Sequence, residues 1–473
     1  MNLPHISTEA LQVFTGEEAF YYRLVPYLLE GNVLSCMSDS SLDYSVHLDE
    51  IANIYGFSVV LNPIDSGELD RLMGTRYRST GASGNNIRIQ ASGCGNNLIE
   101  EIIYEAYGLR ASDIHIEPCE NRCRVRFRID GHLLERHIIP KNDYPGVVNR
   151  IKIMSSLDIS EKRLPQDGRI MYSNGAVKFD IRVSVLPSIY GEKIVLRLLS
   201  GDGFRLSLEE LGFEQKQYDD YIASISSPHG LILISGPTGS GKTTTLYATL
   251  ERLNRGDNNI LTIEDPVEYT LDGVNQVQLK EDIGLTFPVA LRTFLRQDPD
   301  IIMLGEIRDE ATAEMAVRSS LTGHLLLSTL HTNSAWGCIA RLTDMGIHPY
   351  LLSETLIACV AQRLVRVLCP HCRRPVSVPS DILRGLGLDL EYDYNGSVGC
   401  PLCHYTGYYG RKAVYEVIRM NRKLVDAVRN GLRDVNACLA ESGVITLRDS
   451  ALSLLLAGET SLEEVMPLLN EMI

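Results

Sequence analysis

Residues Leu231–Leu253 read LILISGPTGSGKTTTLYATLERL, and this stretch decides the fold. LILIS (Leu231–Ser235) is a short apolar run of strand length, followed at once by glycine. The next eight residues, Gly236, Pro237, Thr238, Gly239, Ser240, Gly241, Lys242 and Thr243, match G-x-x-x-x-G-K-[ST] in full. Thr243 and Thr244 open TTTLYATLERL, a helical pattern. Glycines let successive backbone N–H groups turn inward around phosphate oxygens. The helix N-terminus adds the positive end of its dipole. In this pattern Lys242 supplies a point charge to the β- and γ-phosphates, and Thr243 a hydroxyl to magnesium. With a strand before it and a helix after it, the loop is a nucleotide site rather than a chance glycine-rich turn.

Further strand-like runs follow at Ile260–Glu264, Ile301–Leu304 and Leu325–Leu330. Apolar strands alternating with helices predict a mostly parallel sheet covered on both faces. Chemistry gathers at the run ends. IIMLGE ends in Glu306, where a buried strand would hand an acid to the nucleotide; Gly305 stands where an Asp is more usual. IEDPVE places Glu264, Asp265 and Glu268 together. Three neighbouring acids repel one another unless a cation is near, so they read as magnesium partners or as a solvated acidic loop. His324 and His331 flank LLLSTL, as γ-phosphate sensors or as structural residues. Arg292 and Arg296 sit four apart, a spacing that shares one helix face, and Arg169 and Arg182 lie farther upstream. Each can stabilise charge at a transferring phosphoryl group or form a structural ion pair, and sequence does not rank the two.

The chain has 473 residues, room for about three domains. Its 45 basic and 60 acidic residues give a net charge of −15, which weighs against a large nucleic-acid footprint. No apolar run approaches the ~20 residues that span a bilayer, and the start lacks a basic-then-apolar leader, so a cytosolic location is expected. Residues 1–80 form a first unit with a strand-like run near Phe57–Leu61, and the small polar stretch 81–86 a linker. Residues 87–200 form a second, with strands expected at Asp113–Glu117, Arg124–Ile129, Lys178–Ser184 and Lys193–Leu198 and helices at Asn97–Tyr107 and Tyr144–Ser155. The third runs from 206 to 473. Of eleven cysteines, four form two tight pairs, CPHC (Cys369, Cys372) and CPLC (Cys400, Cys403). Two such hairpins read as a closed tetrahedral zinc site, structural in role, stapling a loop with little core of its own. His371 and His404, beside the pairs, are alternative ligands or solvent-facing residues. The seven scattered cysteines read as small buried apolar residues.

Together these residues resemble the GspE/PilB-type secretion ATPases, hexameric motors of type II secretion and type IV pilus assembly. Beyond the phosphate loop, the resemblance rests on ASDIHIEP (Ala111–Pro118), RFRIDG (Arg126–Gly131), LPQDGR (Leu164–Arg169), YGEKIVLRLL (Tyr190–Leu199), TIEDPVEY (Thr262–Tyr269), LRQDPDIIMLGEIRD (Leu295–Asp309), GHLLLSTLHTN (Gly323–Asn333) and both cysteine pairs. It implies a multidomain α/β chain: a RecA-like ATPase domain at 206–473, with a zinc module at 366–412, preceded by a PAS-like α+β domain at 87–200. Residues 1–80 would be a shortened first N-terminal domain that docks on membrane partners. The resemblance makes Glu306 the acid that activates water. Glu264, Asp265 and Glu268 become an Asp box and His324 and His331 a His box, and Arg169 and Arg182 reach the phosphates. The cofactors implied are ATP, Mg2+ and Zn2+. The partners implied are further copies in a hexameric ring, an inner-membrane platform protein and a cytoplasmic docking protein, at the cytoplasmic face of the inner membrane. The cysteine module is found in assembly motors and is absent from typical retraction motors, which favours assembly. A DNA-uptake or nucleic-acid motor of the same superfamily is the alternative.

Overall fold

A computed structural model describes residues 6–11, 13–14, 16–77, 98–174, 177–199, 206–389, 392–403, 406–431 and 435–470. The expected linker at 81–86 and His404 lie outside these residues. The chain divides into two compact units: residues 1–200 with 368–374 and 396–410, and residues 201–367 with 375–395 and 411–473.

The first unit contains two sheets. Strands β1 (Leu24–Glu30), β2 (Val33–Asp39) and β3 (Ser58–Ile64) form a three-stranded sheet packed by the helices Ser45–Tyr55 and Ser66–Arg76. Strands β4 (Ala111–Pro118), β5 (Arg122–Ile129), β6 (His132–Pro140), β7 (Gln166–Ser173), β8 (Lys178–Ser188) and β9 (Gly191–Leu199) form a second sheet, ordered β6-β5-β4-β9-β8-β7, whose pairs are antiparallel. Its alternation is legible in RCRVRFRI of β5, where every second residue is buried. The apolar set packs against Ile99, Ile102 and Ile103 of the helix Leu98–Gly108 and Val147, Val148 and Ile151 of the helix Tyr144–Met154. The opposite face is charged. Glu117 is met by Arg124 and Arg126 at 2.8 Å and Lys193 at 2.9 Å. Asp113 is met by Arg197 at 3.0 Å.

The second unit is built on β10 (Gly230–Ser235), β11 (Ile260–Glu264), β12 (Asn275–Gln278), β13 (Ile301–Leu304), β14 (Leu325–Leu330) and β15 (Leu356–Leu368). After the short strands β16 (Arg374–Pro375) and β17 (Asn395–Gly396), β18 (Tyr408–Arg419) completes a seven-stranded sheet in the order β12-β11-β13-β14-β10-β15-β18. The pairs β11–β12, β11–β13, β13–β14, β14–β10 and β10–β15 are parallel. Both faces are covered, as the apolar runs require: Leu231 and Leu233 enter one core, and Ile232 and Ile234 the other. Because the registers are in step, with Ser235 beside Leu330 and Ile263 beside Leu304, the carboxyl ends of β10, β11, β13 and β14 share one edge. The loop between the cysteine pairs borrows its core: Leu383, Leu386 and Tyr394 are buried with the second unit's apolar residues. Among the described residues no helix is long and apolar enough to cross a membrane.

Candidate functional site

At the carboxyl edge, β10 gives way to the phosphate loop and the helix Lys242–Leu253. Two glycines there are required by contact. A Cβ on Gly236 (φ +150°) would lie 2.5 Å from the Gln362 carbonyl oxygen. One on Gly241 (φ +89°) would lie 2.7 Å from Gln362 Nε2. The Gln362 amide oxygen also accepts from Thr245 Oγ1 at 2.8 Å, so one side chain of β15 backs both the loop and its helix. Lys242 Nζ donates to the carbonyls of Gly236 (2.7 Å) and Pro237 (3.1 Å). Burial holds its pKa below the ordinary value; the Glu306 charge opposes that shift and Arg363 reinforces it. Ser240 Oγ is buried and without a hydrogen-bond partner, a cost that a phosphate oxygen would remove. Thr243 is exposed at the first turn of the helix, free to face a metal–phosphate complex. The residues therefore fit a magnesium nucleotide.

The neighbouring strand ends supply the acids. Glu264 is buried and accepts from Thr262 Oγ1 (2.6 Å), Gln276 Nε2 (3.1 Å) and the Tyr247 hydroxyl. Tyr247 belongs to the phosphate-loop helix, and its hydroxyl accepts from the Glu268 amide at 3.1 Å. Burial, then the Glu264 charge, pushes the Tyr247 pKa up, which keeps the hydroxyl a donor. Glu306, just past β13, pairs with Arg308, and His331 Nε2 lies 3.5 Å from its other oxygen. Arg308 also reaches Asp265 at 3.6 Å, and its pairing with Glu306 raises its pKa. Lys242, Glu264, Asp265, Glu306 and His331 are thus brought to one edge, and Glu268 is tied to it through Tyr247.

Other candidates go elsewhere. His324 precedes β14, at the opposite end of the strand from His331; seven residue steps at ~3.3 Å put the two about 23 Å apart. His324 Nδ1 lies 3.0 Å from the Ser319 carbonyl, a helix-end contact. Arg292 closes the helix Phe287–Phe294, but Arg296 falls in the turn after it, so the two do not share a helix face as their spacing predicted. The neighbouring Gln297 carbonyl accepts from Asn259, just before β11, which places this turn at the amino edge. Arg169 and Arg182 are cross-strand neighbours on β7 and β8 of the first unit, where Arg169 pairs with Asp180. Sequence reasoning passed over Arg308, Tyr247 and Gln362. Arg308 was visible as a cation two residues past the strand-end acid; the other two carry no signal outside the fold.

The four motif cysteines converge. Their sulfurs lie within 4.8 Å of one another, with Cys369–Cys400, Cys372–Cys403 and Cys400–Cys403 at 3.7 Å. A tetrahedron with ~2.3 Å zinc–sulfur bonds has edges of roughly 3.8 Å, so the donor set fits zinc.

A family model described as Type II/IV secretion system protein matches residues 90–467. The chain belongs to that family. It is 47% identical over 376 residues to type II secretion system protein E of Dickeya dadantii, covering 79% of this chain and 75% of that protein. It is 48% identical over 377 residues to the type IV pilus assembly ATPase PilB of Myxococcus xanthus, covering 78% and 67%. Among solved structures, the pilus retraction motor PilT with bound ADP is 28% identical with a TM-score of 0.55, covering 78% of this chain and 96% of that one. The DotB ATPase of Legionella pneumophila shares the fold at a TM-score of 0.60.

Proposed function

We propose that this chain is the ring-forming motor that powers assembly of a type II secretion pseudopilus or a type IV pilus at the cytoplasmic face of the inner membrane. It is an ATPase, as family membership requires. The observation that carries the site reading is the shared carboxyl edge: β10, which leads into Lys242, and β13, which leads into Glu306, flank β14 in parallel register and end on the same side. In this reading the loop amides and Lys242 hold the phosphates, and the Glu306 carboxylate orients and deprotonates the attacking water. His331 is placed to steady that carboxylate. Arg308 must yield Glu306 for the water to be engaged, which makes it a holding group for the resting site. Magnesium would be held by Thr243 with Asp265 and Glu264 nearby, and it would neutralise charge developing on the phosphoryl oxygens. Zinc would be held by Cys369, Cys372, Cys400 and Cys403, fixing the knuckle.

We read residues 1–80 as a docking domain, 87–200 as the domain bringing Arg169 and Arg182 to a phosphate site, and 206–473 as the ATPase domain. Arg292, Arg296 and His324, away from the carboxyl edge of their own sheet, suit action on a neighbouring copy in a hexameric ring. An inner-membrane platform protein and a cytoplasmic docking protein are the proposed partners. The relatives are named for secretion and pilus assembly, which does not favour the nucleic-acid alternative.

The test is phosphate release by the purified oligomer. Lys242→Ala and Glu306→Gln should both abolish turnover, while Glu306→Gln still binds a fluorescent ATP analogue. Robust hydrolysis by both variants would overturn the site assignment.

A further inference from the structure

The tetracysteine knuckle lies in sequence between β15 and β18, yet Leu368–Arg374 and Gly396–Gly410 pack with the first unit. Two contacts among the described residues tie it there. The Arg110 guanidinium sits 3.9 Å from the centroid of the Tyr409 ring. The Gly410 amide donates to Asp130 Oδ2 at 3.3 Å. Arg110 lies between the helix Leu98–Gly108 and β4, and Asp130 lies in the β5–β6 turn. They adjoin because Ala111 pairs with Ile129 across β4 and β5. Arg110 holds a φ of +56°, a conformation an arginine keeps only where its surroundings fix it.

The knuckle's side of the contact is shaped by its cysteines. The amides of Gly407 (3.3 Å) and Cys400 (3.2 Å) both donate to Cys403 Sγ, and the Cys369 amide donates to the Gly407 carbonyl at 2.9 Å. Gly407 has φ +80°, and a Cβ there would lie 2.2 Å from that of Ser397, so the turn admits only glycine. Two and three residues on, Tyr409 and Gly410 meet Arg110 and Asp130. The sulfur that would ligate the metal therefore also anchors the turn that aims the docking residues. Four sulfurs at this separation hold together as thiolates only around a cation.

We propose that the knuckle is a metal-conditioned docking element whose partner is the six-stranded-sheet domain of the same chain, gripped through Arg110–Tyr409 and Asp130–Gly410. The inference rests on the zinc reading of the four cysteines. It gives the module a task beyond closing its own loop: metal occupancy governs how firmly the sheet domain is held.

The experiment uses the full-length protein. Zinc affinity is measured by competition with a chromogenic chelator, and amide exchange of peptides covering 107–112 and 129–133 is measured before and after zinc removal. Coupled equilibria are reciprocal, so loosening the dock must loosen the metal. Arg110→Ala and Tyr409→Ala should each weaken zinc binding about 2- to 5-fold, the range of a partly exposed cation–π contact. Tyr409→Phe, which keeps the ring, should bind zinc as tightly as the wild type does, and zinc removal should raise exchange in both peptides. If Tyr409→Ala damages the knuckle itself, its starting zinc content falls, and Arg110→Ala, outside the knuckle, decides. Wild-type zinc affinity in Arg110→Ala, with exchange in both peptides unchanged by chelation, overturns the docking role while the zinc reading stands. A purified chain without zinc overturns both.

Discussion

Replacing Tyr247 by Phe removes one oxygen from the phosphate-loop helix and tests how that helix is tied to the acidic strand end. The hydroxyl donates to Glu264 and accepts from the Glu268 amide. Tyr247 is 0% and Glu264 4% exposed, so water does not replace what is lost. A hydrogen bond to a charged group contributes about 1.5–3 kcal/mol, and an amide left without an acceptor costs at least about 1 kcal/mol more. Thr262 and Gln276 remain on Glu264 and keep the first figure toward its lower end. The sum is about 3 kcal/mol. For a domain of this size that lowers the melting temperature by about 6–12 °C. The assay is thermal unfolding of the full chain, following the transition that moves upward when nucleotide is added. Tyr247→Leu should cost more, because it also loses the ring contact with Tyr269 at 4.6 Å. A Tyr247→Phe transition within about 2 °C of wild type would refute the reasoning.

The two histidines should separate: His331→Ala lowers kcat at least about 10-fold, while His324→Ala in a dilute, non-assembled sample leaves nucleotide affinity within about 2-fold, as a mant-ATP titration would show. Glu117 gives a pH prediction. Burial alone would raise its carboxyl, but hydrogen bonds from Arg126 and Lys193 and the Arg124 charge outweigh burial and bring its pKa from 4.5 to about 2. A depressed folded-state pKa means its contribution is complete above about pH 4.5 and is lost as pH falls toward 2. Melting curves across that window should fall more steeply for wild type than for Glu117→Gln, and parallel curves would count against the ion-pair cluster. Gly241→Ala should weaken ATP binding at least about 10-fold, since its Cβ would press on Gln362 Nε2 in a left-handed backbone conformation; an unchanged dissociation constant would show that the loop tolerates the crowding.

Local sequence determined the parts whose physics is local. LILIS followed by GPTGSGKT fixes a strand, an anion-binding turn and a helix start, because glycine conformations and orphan amides act within a few residues. Short apolar runs marked β10, β11, β13 and β14 to within a residue, since a strand buried on both faces has no polar side to show. Paired cysteines at close spacing likewise announced their cluster, because each pair is a single hairpin.

The tertiary structure decided what depends on register and long-range contact. Two histidines flanking one six-residue run look equivalent in sequence, but a strand carries them to opposite edges of the sheet. Arg292 and Arg296 share a helical spacing, but the helix ends between them. Tyr247 and Gln362 are ordinary residues of a helix and a strand until folding sets one against Glu264 and the other behind two glycines. The knuckle's attachment is the extreme case: Arg110 and Tyr409 are 299 positions apart in the chain. Their meeting is set by how β4 and β5 pair and by how Cys403 anchors Gly407, neither of which any local pattern encodes.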